Sequence, residues 1–201
     1  MKSMLLVLTL ALLLAACGGS SKAPEDAPEG ATIDPASLNA CELFTVQDAL
    51  QFNGGKAVAP RSSTFDDAAR SGSALTCSFN TAVSTPDQPQ VLGLEIKPAR
   101  SAEAAARNLE SSRAMLKRLT GGEIQEVPKL GEKALFAGGT LSQLHVLKSN
   151  LVLVVTAQTD NQPRSLYLAK LIAQRVLQRL DGAPGAQGAP VVPDQSAQPP
   201  A

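Results

Sequence analysis

Histidine is almost missing from this 201-residue chain, and His145 is the single one. A hydrolase that uses an imidazole as general base therefore has one candidate. Ser142, the serine nearest to it, lies three residues back on a predicted strand, which turns the two side chains to opposite faces. No Gly-x-Ser-x-Gly elbow occurs. Excess charge of either sign is also lacking, with 18 basic against 18 acidic residues. That balance implies no strongly basic surface overall, and nucleic acid is not an expected partner. Calcium ligands in Asp-x-Asp-x-Asp-Gly order are absent, since Asp66 and Asp67 are adjacent in a long polar stretch after Arg61. Gly54, Gly121 and Gly138 each open a glycine pair, but at the ends of predicted elements and without a dinucleotide or phosphate fingerprint. No cofactor and no metal are expected.

What is present begins at the first residue. Lys2 is followed by an apolar run from Met4 to Leu14 and the small pair Ala15 and Ala16, which reads as a secretory signal over residues 1–16, too short for a mature membrane span. Leu14, Ala15, Ala16 and Cys17 resemble the lipobox of bacterial lipoproteins, which implies cleavage before Cys17 and lipid on its sulfur. Two or three acyl chains, at roughly 0.8 kcal/mol per buried methylene, give stable anchoring where one would be marginal. Residues 17–38 are rich in Gly, Ser, Ala, Pro and acids, with Ile33 their one large apolar residue before Leu38, and read as a flexible tether. Residues 182–201 read as a disordered tail rich in Pro, Ala and Gly. Between these ends lies one domain, 39–181. Removal of Lys2 with the leader leaves 17 basic against 18 acidic residues.

Three cysteines become two once Cys17 carries lipid. Cys41 and Cys77 form an even pair in a chain bound for an oxidising envelope, and a disulfide between them is expected. The rival, a zinc site built from both and the histidine, lacks clustered ligand spacing.

Inside the domain, Thr45-x-x-Asp48 is a capping pattern for a short helix over 46–52. Residues 75–80 and 91–97 alternate with period two as strands. Ser101 caps a second helix that carries Ala102, Ala105, Leu109, Leu116 and Leu119 at helical spacing and stops at Gly121 and Gly122. Strands follow at 123–127 and 133–137, then a hairpin over 141–159 turning at Ser149 and Asn150. Its second arm, Leu151 to Val155, is apolar without a break, the pattern of a central strand covered on both faces. A two-residue turn puts Leu144, Val146, Leu153 and Val155 on one face, and a three-residue turn shifts that pairing. A last helix over 163–180 buries Leu166, Ala169, Ile172, Ala173, Val176 and Leu180. This order predicts an α+β domain: an antiparallel sheet with helices packed on one face.

Cys41, Glu42, Leu43, Phe44 and Thr45 before the first helix, Asp48 with Ala49, and Cys77, Ser78 and Phe79 opening a strand make the chain similar to a known group. It resembles the small lipoproteins of unknown function common in actinobacteria, with their Cys-x-Leu-Leu-Thr and Cys-Ser-Phe or Cys-Ser-Trp motifs. Leu130, Gly131 and Glu132 match a later Leu-Gly-Asp-like turn, and Ser149 to Val154 match a Gly-Asn-apolar hairpin. The resemblance covers about residues 40–180. It implies the disulfide and the α+β fold, and no catalytic residue.

The functional expectation is a membrane-anchored envelope lipoprotein whose non-catalytic domain binds a partner protein or small ligand. Two alternatives are a cell-wall or lipid hydrolase using His145, and an inhibitor or immunity lipoprotein presenting the stretch from Ser62 to Gly72. Arg164, Lys170, Arg175 and Arg179 on the last helix, with no acid before Asp181, form a possible partner surface for anionic lipid or polymer, or else complement the helix dipole. Gly18 after the anchor lacks the aspartate that retains lipoproteins at an inner membrane. The expected place is the outer membrane of a diderm, on its periplasmic side or surface, or otherwise the outer face of the cytoplasmic membrane.

Overall fold

A computed structural model describes residues 32–60, 75–82, 85–121, 123–139 and 141–182. The leader, Cys17, the stretch from Ser62 to Gly72 and the tail beyond Gly182 lie outside them.

Thr45 caps α2 (Val46–Phe52) by a reciprocal box: its hydroxyl accepts from Asp48 N, and the Asp48 carboxylate accepts from Thr45 N at 2.8 Å. A shorter turn of helix, α1 (Ala40–Leu43), precedes it under an Asn39 cap. The strands follow as β1 (Val58–Pro60), β2 (Thr76–Thr81) and β3 (Val91–Pro98). Next come α3 (Ala102–Thr120), β4 (Ile124–Glu126), β5 (Lys133–Ala137), β6 (Gln143–Lys148), β7 (Leu151–Gln158) and α4 (Gln162–Leu180). Ser101 caps α3 and Gly121, at φ 65°, ends it in the left-handed conformation that glycine adopts without steric cost.

The seven strands form one antiparallel sheet in the order β1-β2-β3-β7-β6-β5-β4. Two meanders, β1 to β3 and β4 to β7, are joined by α3 and meet along the β3–β7 seam. Both edge strands are three residues long and one ends in Pro60, which blunts them against pairing with other chains. The α+β class, the antiparallel sheet and the single domain agree with the sequence reading.

The helices are divided between the faces, where the sequence reading put them on one. Leu151, Leu153, Val155 and Ala157 of β7 face a cluster built with Phe44, Ala49, Phe52, Leu168, Ile172 and Val176 from α4 and the α1–α2 segment. Val152 and Val154 point the other way, into a smaller cluster with Leu135, Leu147 and with Ala105 and Leu109 of α3. A strand apolar at every position needs cover on both sides, and α3 supplies the second. Phe44 stands edge-on to Phe79 at 5.6 Å, joining the helix entrance to β2.

The domain also starts earlier than residue 39. Asn150 of the β6–β7 turn accepts from Ile33 N at 2.8 Å and donates to Ile33 O at 3.0 Å, as a neighbouring strand would. Ile33 packs on the larger cluster and Leu38 is buried, so 32–38 belongs to the folded unit and the expected tether is shorter by that much.

Lys148 pairs with Leu151, which makes the hairpin turn two residues, Ser149 and Asn150, and settles the register in favour of the shorter turn. Ser149 adopts φ 53°, a region where a side chain costs energy and glycine does not. Ser149→Gly is expected to raise stability by about 0.5–1 kcal/mol, the left-handed cost less the added chain entropy of glycine. A urea midpoint that stays level or falls would reject this.

Candidate functional site

The sulfurs of Cys41 and Cys77 are bonded, with Cα atoms 5.1 Å apart, so neither is a free thiol or a metal ligand. The bridge joins the α1 turn to the buried face of β2.

Next to it, the expected basic surface comes apart. Arg175 and Arg179 point inward: their side chains are 6% and 11% exposed, and both reach Asp48, itself 3% exposed. Arg175 Nη1 lies 3.2 Å from Asp48 Oδ1, while Arg179 grips both carboxylate oxygens and donates to Leu43 O at 2.7 Å. The cause is helical geometry. Arg179 stands two turns after Ile172 on the buried stripe, whereas Lys170 falls on the opposite side and is exposed. Arg164 stays at the rim, its guanidinium 5.3 Å from the centre of the Tyr167 ring. The four residues never share one face, and the acid missing from the helix is supplied by α2. Burial pushes the Asp48 carboxyl up, but hydrogen bonds from Arg179 and from the backbone and hydroxyl of Thr45, together with the Arg179 charge, hold it below its ordinary value. This buried cluster of one acid and two bases joins the entrance of the domain to its last helix.

His145 is 2% exposed and sits between Leu135 and Val154 across the strands, on the face that α3 covers. Its Nε2 is 3.4 Å from Gln143 Oε1, and its Nδ1 has no hydrogen-bond partner among the described residues. Burial, with the Lys97 charge second, pushes the imidazole down from 6.5 to about 4. Ser142, fully buried, is not brought to it.

A group held neutral by the fold but free to take a proton in the unfolded chain destabilises the native state as pH falls from 6.5 towards 4. The contribution is complete above 6.5 and amounts to roughly 3 kcal/mol across that window. His145→Leu is expected to flatten this part of the stability–pH curve, read as urea midpoints at pH 7 and 4.5. Parallel curves for the two proteins would refute it.

α3 covers β4 to β7 on its side of the sheet. Over β2 and β3 no described helix lies on that side. The alternation that buries Cys77, Phe79, Leu92, Leu94 and Ile96 on one face directs Thr76, Ser78, Asn80, Glu95 and Lys97 to the other. Lys97 Nζ and Glu95 Oε2 are 3.4 Å apart there, and Gln143 Nε2 is 3.4 Å from Thr156 Oγ1 beside them. Gly93 lies close against Ser78 in this row, where a Cβ would come 3.1 Å from that of Ser78. This polar half-sheet is the candidate binding surface, and its signal in the sequence is the alternation of the two strands.

No family model, curated protein or solved structure matches this chain. Two turns of the sheet meet in space. Gly131, at φ 60°, lies so close to β6 that a Cβ would be 2.5 Å from Leu147 O, and Glu132 accepts from Ser149 N at 2.6 Å. The Leu-Gly-acid turn thus braces the hairpin turn. A recess of about 190 Å³ beside it, lined by residues 126–134, is smaller than the few hundred Å³ of a typical ligand site. Among the described residues no helix is long and apolar enough to cross a membrane, and no group of three or more His, Cys, Asp or Glu is placed to hold a metal.

Proposed function

We propose that the chain is an envelope lipoprotein, anchored through lipid on Cys17, whose domain binds a partner protein or small ligand without catalysis. The sequence Leu14-Ala15-Ala16-Cys17 carries the anchor, since a small-small-cysteine end directly after an apolar run is what lipoprotein processing reads. The binding role is favoured over hydrolysis by His145. A general base must reach its substrate, and an imidazole 2% exposed with a pKa of about 4 is both shielded and weakly basic. The polar half-sheet of Thr76, Ser78, Glu95 and Lys97 offers hydrogen-bonding groups on a rigid element, as a recognition surface needs.

The anchor is tested by feeding cells a labelled fatty acid. The wild-type protein is expected to take up label and sediment with membranes, and Cys17→Ser to lose both properties. Unlabelled wild type would remove the reading. Capture of partners from envelope extracts, compared with a Glu95→Lys and Lys97→Glu double variant, tests the surface. Equal capture by both would exclude it.

A further inference from the structure

The chain enters and leaves the domain at one end of the sheet. At the entrance, Ile33 N donates to Asn150 Oδ1 and Ile33 O accepts from Asn150 Nδ2, and Asn150 also donates to Ala99 O at 3.3 Å. At the exit, Asp181 just beyond α4 is 2.7 Å from Lys148, the last residue of β6. Lys148 leads into the turn that holds Asn150, and Leu130 to Glu132 brace it through the bond from Ser149 N. The opposite end has a framework of its own: Gln90 Nε2 donates to Asp160 at 2.8 Å, Asn161 Nδ2 to Asp87 at 3.1 Å, and Asp160 N to Pro86 O at 3.2 Å. No chain end leaves there among the described residues.

We infer that the rim formed by Ile33, Leu130 to Glu132, Ser149, Asn150 and Asp181 faces the lipid headgroups, and that the rim of residues 85–90 and 159–162 is held away from them for contact with other envelope components. This rests on the lipid anchor at Cys17. Fourteen residues lie between Cys17 and Thr32, and the fifteen Cα-to-Cα steps span at most ~50 Å, while the eight residues of β7 set the two rims ~27 Å apart. The attachment point is fixed on the fold by the Asn150 bonds and by the packing of Ile33 and Leu38, so the near rim meets the bilayer with the tether slack, whereas turning the far rim to it uses about half of the tether's ~50 Å span.

The test uses lipidated full-length protein on vesicles of neutral and anionic phospholipid that carry an acceptor dye on their headgroups. A donor dye is placed through Lys129→Cys at the near rim or Thr85→Cys at the far one, without reductant so that Cys41 and Cys77 stay joined. Energy transfer from position 129 is expected to exceed that from 85 by roughly twofold or more, given the ~27 Å between the rims. Bound protein with equal or reversed transfer overturns the orientation and leaves the anchor standing. Protein that does not associate with vesicles overturns the anchor and the orientation with it. Asn150→Ala, and Ile33→Ala as the variant that spares the turn, are expected to shrink the contrast while far-ultraviolet circular dichroism is unchanged. An undiminished contrast in both overturns the role given to the Ile33 contact.

Discussion

Replacement of Cys41 and Cys77 by alanine is expected to lower the unfolding free energy by about 4 kcal/mol, the chain-entropy value for cross-linking residues 36 apart. The bond ties the α1 turn to the second residue of β2. Its loss frees the entrance of the domain while β3, β7 and α4 keep their own packing. Secondary structure is therefore expected to survive, with the urea midpoint shifted downward and its slope altered by a looser unfolded state. A shift below about 1 kcal/mol would mean that the unfolded chain is already constrained by other means.

Asp48→Asn is expected to cost about 3–5 kcal/mol, because it leaves Arg175 and Arg179 buried opposite a neutral amide. The amide oxygen still accepts from Thr45 N, so the helix cap survives and the loss reports the charge cluster alone. Thr45→Ala is the control: it removes the hydroxyl that caps Asp48 N and is expected to cost about 1 kcal/mol. Equal costs for the two variants would reduce the cluster to a cap. The pH dependence follows from the lowered Asp48 value. Its contribution is fully present above the ordinary carboxylate range and disappears as pH falls through the folded-state value, below the window in which His145 acts. Acid unfolding should thus show two successive losses, the first removed by His145→Leu and the second by Asp48→Asn.

Much of this fold is legible where the signal is local. Thr45 and Asp48, three apart, announce a capping box; Ser101 and Gly121 bracket α3; Ser149 and Asn150 separate two apolar arms by the length of a tight turn. What escaped depends on partners far along the chain. Ile33 looked like one apolar residue in a polar tether, and only Asn150, 117 residues away, makes it part of the domain. Arg175 and Arg179 read as a basic partner surface or as a complement to the helix dipole because their acid lies on another helix, 127 and 131 residues back. Their inward position was nevertheless open to inspection, since Arg179 repeats Ile172 after two helical turns. The unbroken run from Leu151 to Val155 already required cover on both faces, which conflicts with helices on a single side. The candidate surface is legible only in part, because alternation in β3 gives the face of Glu95 and Lys97 but not which helix leaves it uncovered.

The seam between β3 and β7 carries a kinetic consequence. Each meander closes through neighbouring strands, but the seam pairs residue 91 with 158 and residue 98 with 151, across all of α3 and three strands. Contacts so remote in sequence form late, because a long loop must close before they return any energy. In a chain that emerges from its amino end, the apolar β3 waits with one edge bare until β7 arrives. Aggregation during refolding should accordingly begin at β3, and the middle of the finished sheet is the part most vulnerable while the sheet is being made.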